Sequence, residues 1–235
     1  MSELGAVMGE LEAMGTEQNR KVYRRHGVLG EQFGVSYANL GLLTKKLKTN
    51  HALARELWAT GNHDARVLAC RVCDPAAADD ALLDAWVADC DSYVLSDALS
   101  GPASKAGDPV ARHERWRDDD REWVGRTAWL IVANLANRDA GEPGDDWFAS
   151  RLPIVERQVH GRKNRVRDAM VLALIAIGAR SDELEAAVAA AGEGIGHVEV
   201  DHGETGCKTP DMGPYLHKTR AHRRKKQQKA AARKA

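Results

Sequence analysis

Asn50-His-Ala-Leu-Ala-Arg-Glu-Leu-Trp-Ala-Thr-Gly61-Asn62-His-Asp-Ala-Arg-Val-Leu-Ala-Cys-Arg-Val-Cys-Asp74-Pro75 sets the pattern for the whole chain. Asn50 is an N-cap residue type, and the helical run after it ends at Gly61. Asn62 caps again at once. Ala65, Leu68, Ala69 and Val72 then form an apolar stripe at three-to-four spacing, which Asp74-Pro75 closes. Helices of about ten residues joined by turns this short are antiparallel neighbours.

The same alternation runs outward in both directions. Upstream, residues 4–15 read as an amphipathic helix, Thr16 caps a polar helix stopped at Gly27, and Ser36 caps a helix over 36–47. Downstream come helices over 79–88 and 91–100, then a polar loop holding Gly101, Pro102, Gly107 and Pro109. A charged segment at 110–117 precedes a strong helix at 121–137, and helices at 145–159, 164–178 and 181–192 follow. No convincing strand pattern occurs before residue 194. Many short helices, each able to cover only its neighbour, imply an all-α fold, an α-solenoid of HEAT-like antiparallel helix pairs rather than a closed bundle. Residues 1–193 form the helical repeat domain in this reading. Residues 194–217, rich in glycine, form an ordered loop segment packed on it, with a brief extended piece at 197–200. Residues 218–235 form a basic tail, disordered or a frayed helix in isolation.

At 235 residues, with 43% hydrophobic and 29% charged residues, the composition is that of a globular protein. No apolar run reaches the roughly 18 residues of a membrane-spanning helix, and the N-terminus lacks a signal peptide's basic and apolar regions. Four cysteines, Cys70, Cys73, Cys90 and Cys207, do not make a disulfide framework, which points to a reducing cytoplasm. The 34 basic and 34 acidic residues balance, yet nine of the basic ones lie between Lys218 and Lys234 with no acid among them. The remaining body is therefore acidic, and the tail is suited to polyanions.

Residues 82–101, Leu-Leu-Asp-Ala-Trp-Val-Ala-Asp-Cys-Asp-Ser-Tyr-Val-Leu-Ser-Asp-Ala-Leu-Ser-Gly, hold the candidate chemistry. Asp91 or Ser92 starts a helix, Asp91 being the preferred cap, and Tyr93 and Asp97 then share a face. A carboxylate beside an aromatic ring suits chemistry on a cation, and it is equally an ordinary helix surface.

Several stretches together resemble the DNA alkylation repair family of HEAT-like-repeat proteins. They are Gly34-Val-Ser36, His51-Ala-Leu-Ala-Arg-Glu-Leu-Trp-Ala-Thr-Gly61, Ala65-Arg-Val-Leu-Ala69 and Asp91-Ser-Tyr-Val-Leu-Ser-Asp97. Val200-Asp-His-Gly-Glu-Thr-Gly-Cys-Lys-Thr-Pro-Asp211 is similar to a bacterial branch of it, and the likeness runs over most of 10–217. The resemblance implies a C-shaped stack of helix pairs holding duplex DNA against a basic concave face. Its glycosylase members excise purines made cationic by alkylation at N3 or N7, leaving the base in the stack, unlike flipping glycosylases. Carried over by position, Asp97 falls at the catalytic Asp, Tyr93 at the first of two cradling Trp residues, and Arg126 at an arginine that contacts the DNA backbone. The second Trp would fall near Leu172, where no aromatic residue stands.

An alkylated purine leaves readily, so the task is to stabilise the oxocarbenium-like sugar and orient water, which a fixed carboxylate does. Asp97 and Tyr93 are the catalytic candidates. Arg126, Lys45, Lys46, Arg66, Arg157, Arg162, Lys163, Arg165 and Arg167 are the candidates for DNA contact, each with a solvated-surface alternative. Cys70-x-x-Cys73 and the set His197, Asp201, His202 and Cys207 are read as packing and loop residues, so no metal site is expected. The six tryptophans, at 58, 86, 116, 123, 129 and 147, are core candidates, with Trp116 and Trp123 singled out for exposure. No Walker loop, dinucleotide fingerprint or nucleophile elbow is present, and no cofactor is expected.

The expectation is thus a DNA-binding HEAT-like repeat protein of DNA alkylation repair, with glycosylase activity carried by Asp97. The alternatives are a non-catalytic binder of damaged or branched DNA and a protein-interaction solenoid. The expected partner is double-stranded DNA, alkylated or branched. The expected state is a monomer, off the membrane, in the cytoplasm and associated with the bacterial nucleoid where it binds DNA.

Overall fold

The computed structural model describes residues 2–138 and 142–232. In chain order the helices are α1 (Glu3–Met14), α2 (Glu17–Arg25), α3 (Tyr37–Leu47), α4 (His51–Ala59), α5 (His63–Val72), α6 (Asp80–Ala88), α7 (Tyr93–Ala103) and α8 (Pro109–Trp116). There follow α9 (Glu122–Ala136), α10 (Asp145–Ala149), α11 (Leu152–Gln158), a 3-10 turn (Val159–Gly161), α12 (Asn164–Gly178), α13 (Asp182–Ile195) and α14 (Met212–Ala232). Among the described residues there is no strand, and Gly15 and Val35 form an isolated antiparallel bridge. None of these helices is long and apolar enough to cross a membrane. The architecture is all-α, built of paired helices, as the capping pattern implied. Thr16, Ser36, Asn50, Asn62 and Ser92 each accept a hydrogen bond from an N–H in the first turn of the following helix.

The chain divides into two compact units. The first runs to Trp116 and takes in His202–Cys207; the second comprises Arg117–Asp201 and the segment from Lys208 onward. The break falls in the polar run Arg117-Asp-Asp-Asp-Arg121, which has no apolar side chain to pack. Trp116, at the end of α8, is buried and donates its indole N–H to Asp84 at 2.8 Å within the first unit.

In the first unit α5 is the central helix. His63, Asp64, Ala65, Val67, Leu68, Ala69, Cys70 and Val72 are all buried, leaving little of its surface to solvent. The buried Asp64 carboxylate accepts three successive backbone N–H groups, from Phe33 at 2.7 Å, Gly34 at 3.0 Å and Val35 at 2.9 Å. Only glycine fits at 34. Its φ is +78°, and a Cβ there would stand 2.6 Å from the Thr16 carbonyl oxygen. Trp58 and Trp86 stack with ring centroids 4.4 Å apart, so these two tryptophans are core, and Trp116 joins them. Cys70, Cys73 and Cys90 are buried, and burial pushes their thiols up, Cys73 to about 11.

In the second unit α9 and α12 lie side by side, both buried on most faces. Gly125 permits the approach, because a Cβ there would meet Val166 Cγ2 at 3.2 Å. Arg126 is turned inward. Its guanidinium pairs with Asp168 at 2.7 Å and donates to the Arg165 carbonyl at 2.9 Å. Arg126, expected to contact phosphate, thus fastens α9 to α12, because a buried Asp168 needs a cation.

The basic tail at 218–235, expected to be disordered or a frayed helix in isolation, falls within a helix described from Met212 to Ala232. Leu216 packs into the second unit, and Arg220 donates to the carbonyls of Gly178 and Ser181 and pairs with Asp182 and Glu185. Arg223 donates to the carbonyls of Ala136 and Arg138, both at 2.9 Å. Gly178 and Ala136 end α12 and α9, so these arginines satisfy carbonyls that a helix C-terminus leaves without partners.

Two stability outcomes are expected. Asp64→Ala leaves three backbone donors unmet, two of them buried, and should cost about 4 kcal/mol in urea unfolding, against about 2 kcal/mol for Asp64→Asn, which keeps one acceptor oxygen. Arg126→Met should cost about 3–5 kcal/mol, and adding Asp168→Leu should recover most of that loss in a double-mutant cycle.

Candidate nucleic-acid interface

In the first unit α7 carries the expected acid. Ser92, whose hydroxyl accepts from the Leu95 N–H, is the cap in place of Asp91, which is exposed. Val94, Leu95, Ser96, Leu99 and Ser100 face inward, and Asp97 faces solvent. Tyr93, one turn earlier, is half-buried, and its hydroxyl shares a hydrogen bond with His26 Nδ1 at the end of α2. The ring also leans on a small apolar cluster of Tyr23, Val28 and Val94. Tyr93 is thus held in place from two sides.

Three neighbours of Asp97 and Tyr93 were not read from the sequence. Tyr37, the first residue of α3, is 48% exposed, and the Arg71 guanidinium lies 5.0 Å from its ring centroid. The Tyr37 phenol is held above its ordinary pKa. Partial burial raises it, Arg71 pulls it back, and the carboxylate of Asp97 and the hydroxyl of Tyr93 push it up again. His26 is the third, through Tyr93. Tyr23 meets Tyr37 edge-on at 6.5 Å and donates its hydroxyl to the Val35 carbonyl. One patch therefore presents a solvent-facing carboxylate, a half-exposed phenol ring and a stacked guanidinium. These residues come from α2, α3, α5 and α7, and no spacing along the chain links them.

The expected cations of this unit divide. Lys45 is exposed, and Lys46 is exposed but paired with Glu10 at 2.6 Å. Arg66 is drawn in, with its guanidinium 5.2 Å from the Trp58 ring centroid, a bond to the Trp58 carbonyl at 3.2 Å and an ion pair with Asp89 at 3.6 Å.

In the second unit the candidates gather before and within the first turn of α12. Arg157 and Lys163 are exposed. Arg162 is half-buried and donates to the carbonyls of Arg117 at 2.8 Å and Asp119 at 3.1 Å. Arg165 is half-buried, its backbone N–H donating to Glu122 at 2.6 Å, and Arg167 reaches Asn164 at 3.5 Å. The Asn164 amide clasps the Asp201 backbone with two 2.7 Å bonds, which holds the loop after α13 against the start of α12. A fifteen-residue helix whose N-terminus is ringed by cations favours anions there. Leu172, on the same helix, is half-buried, and Trp123 is half-buried on α9.

Comparison with known proteins gives a consistent result. A family model described as DNA alkylation repair enzyme matches residues 7–203. An uncharacterized protein of Listeria innocua is 26% identical over 90% of this chain and 94% of its own length, and one of Listeria monocytogenes is 25% identical over the same shares. A solved structure with 26% identity superposes at a TM-score of 0.84, covering 92% of this chain and 93% of that one. It is described as a new family of proteins related to the HEAT-like repeat DNA glycosylases with affinity for branched DNA structures. With the match extending from α1 through the loop after α13, this chain belongs to the DNA alkylation repair enzyme family.

Proposed function

We propose that the chain binds DNA through its backbone phosphates and prefers branched over linear duplex. The likeness over nine-tenths of the chain to a protein with affinity for branched DNA supports this most directly. The exposed Arg157 and Lys163, with Arg165 and Arg167 half-exposed beside the α12 N-terminus, are the groups proposed to hold phosphate. Arg126, Arg66 and Arg162 leave this set because their guanidinium groups donate to backbone carbonyls. Lys45 stays in it as a solvent-facing cation of the first unit, and Lys46 stays with its charge shared by Glu10. The resemblance puts a second cradling Trp near Leu172, where this chain has no aromatic residue, and that favours binding without excision.

A second reading has its own observation in Asp97, a solvent-facing carboxylate beside the Tyr37 and Tyr93 rings. Against an N3- or N7-alkylated purine nucleotide, such a carboxylate would stabilise the sugar cation as the C1′–N bond breaks. The bond's electrons go to the cationic purine, which leaves neutral, and water adds at C1′, releasing a proton.

Fluorescence anisotropy at several salt concentrations tests the first reading. A four-way junction should bind about tenfold tighter than a linear duplex of equal length. Lys163→Ala or Arg157→Ala should each lower the slope of log K against log salt by about one. Absence of binding to either DNA at low salt would reject it. For the second reading, release of 7-methylguanine or 3-methyladenine from alkylated duplex is the readout, and Asp97→Asn should slow it about a hundredfold or more. No release above the spontaneous rate by the unaltered chain would leave binding as the activity.

A further inference from the structure

We propose that the loop between α2 and α3 reads the branch point, with Leu29 entering an unstacked base step while Lys21, Arg24 and Arg25 hold the adjoining phosphates. The inference rests on the reading of the chain as a binder of branched DNA and names the element that would supply the preference.

Leu29 is 85% exposed, the most exposed large apolar side chain among the described residues. Its position is built. Gly27 turns the chain with φ +78°, and Val28 is fully buried against Tyr23 and Val94. The Val28 N–H donates to the Tyr23 carbonyl at 3.0 Å, and the Val28 carbonyl accepts from Gln32 at 3.0 Å. With Val28 pinned inward, the next side chain is forced out. A lone exposed leucine on a loose loop means little; one held out by an anchored neighbour can insert without ordering cost.

The surroundings decide what it meets. Lys21, Arg24 and Arg25 lie at i, i+3 and i+4 on α2, on the face opposite the buried Tyr23, and all three are exposed. Arg24 makes a long contact with Glu17 at 3.8 Å, and Arg25 borders a cavity of about 320 Å³ shared with His26 and Glu204. The loop tip itself is flanked by carboxylates. Glu31 is exposed, and an added Cβ on Gly30 would stand 3.3 Å from Asp91 Oδ2. Cations on the helix attract the backbone, whereas acids at the tip repel it. The fit at the tip is therefore the uncharged face of an unstacked base, and apolar wedges act on such steps in DNA-bending proteins. A branch point supplies them already unstacked, where a linear duplex must be opened at a cost.

The experiment uses the full chain with a four-way junction and a linear duplex, each carrying 2-aminopurine, the junction at its branch. Leu29→Ser should weaken junction binding about tenfold and leave linear binding unchanged, since the loss falls on an apolar contact made only at the branch. The fluorescence rise that the unaltered chain produces at the branch should disappear with Leu29→Ser and persist with Leu29→Met. Arg24→Ala with Arg25→Ala should weaken both DNAs alike. Thermal unfolding should not move for Leu29→Ser. Junction affinity and branch fluorescence both unchanged in Leu29→Ser would overturn this inference alone. Failure of the unaltered chain to bind DNA would overturn it together with the binding reading.

Discussion

The first unit depends on one buried carboxylate. Asp64 gathers the amide hydrogens of three consecutive residues, Phe33, Gly34 and Val35, onto two oxygens inside a helical core. Three consecutive N–H groups converge on one carboxylate only if the backbone curls around it, which the positive φ of Gly34 permits. Everything nearby is registered from that curl. The Val35 carbonyl receives the Tyr23 hydroxyl, Ser36 caps α3, and Tyr37 then emerges beside Asp97 and Arg71. The place of Tyr37 in the patch is therefore set by a contact from the core helix α5.

Arginine plays the matching part elsewhere. Arg112, fully buried, donates to the carbonyls of Ala103 and Ala106 at the end of α7 and pairs with Asp80. Arg220 and Arg223 do the same for α12 and α9, and Arg126 ties α9 to α12. A guanidinium has five donors in a fixed fork, so it can satisfy several carbonyls where a lysine would meet one. Short helices have many ends for their length, and each end leaves carbonyls without partners. A chain built this way uses much of its positive charge inside the fold. A count of basic residues overstates the surface available to an anion.

The candidate site has the same character. Tyr93 is fixed by His26 and by its apolar bed, while Asp97 and Tyr37 face solvent. Such a patch is preorganised.

Much of the fold was legible. Thr16, Ser36, Asn50 and Asn62 cap the helices they were expected to cap, and the apolar stripe of α5 is buried along its length. Capping and periodicity are local, decided within about four residues, so the sequence by itself determined the all-helical class and the order of its elements. The likeness to the DNA alkylation repair family was also carried by contiguous stretches. What only the tertiary structure decided is long-range. It placed Arg126 against Asp168, forty-two positions away, and ordered α14 by seating Leu216 and Arg220 in the second unit. It also brought Tyr37, Arg71 and His26 around Asp97 and Tyr93. An exposed cation and a buried one look alike in a sequence, because the difference lies in whether a distant carboxylate or helix end needs it.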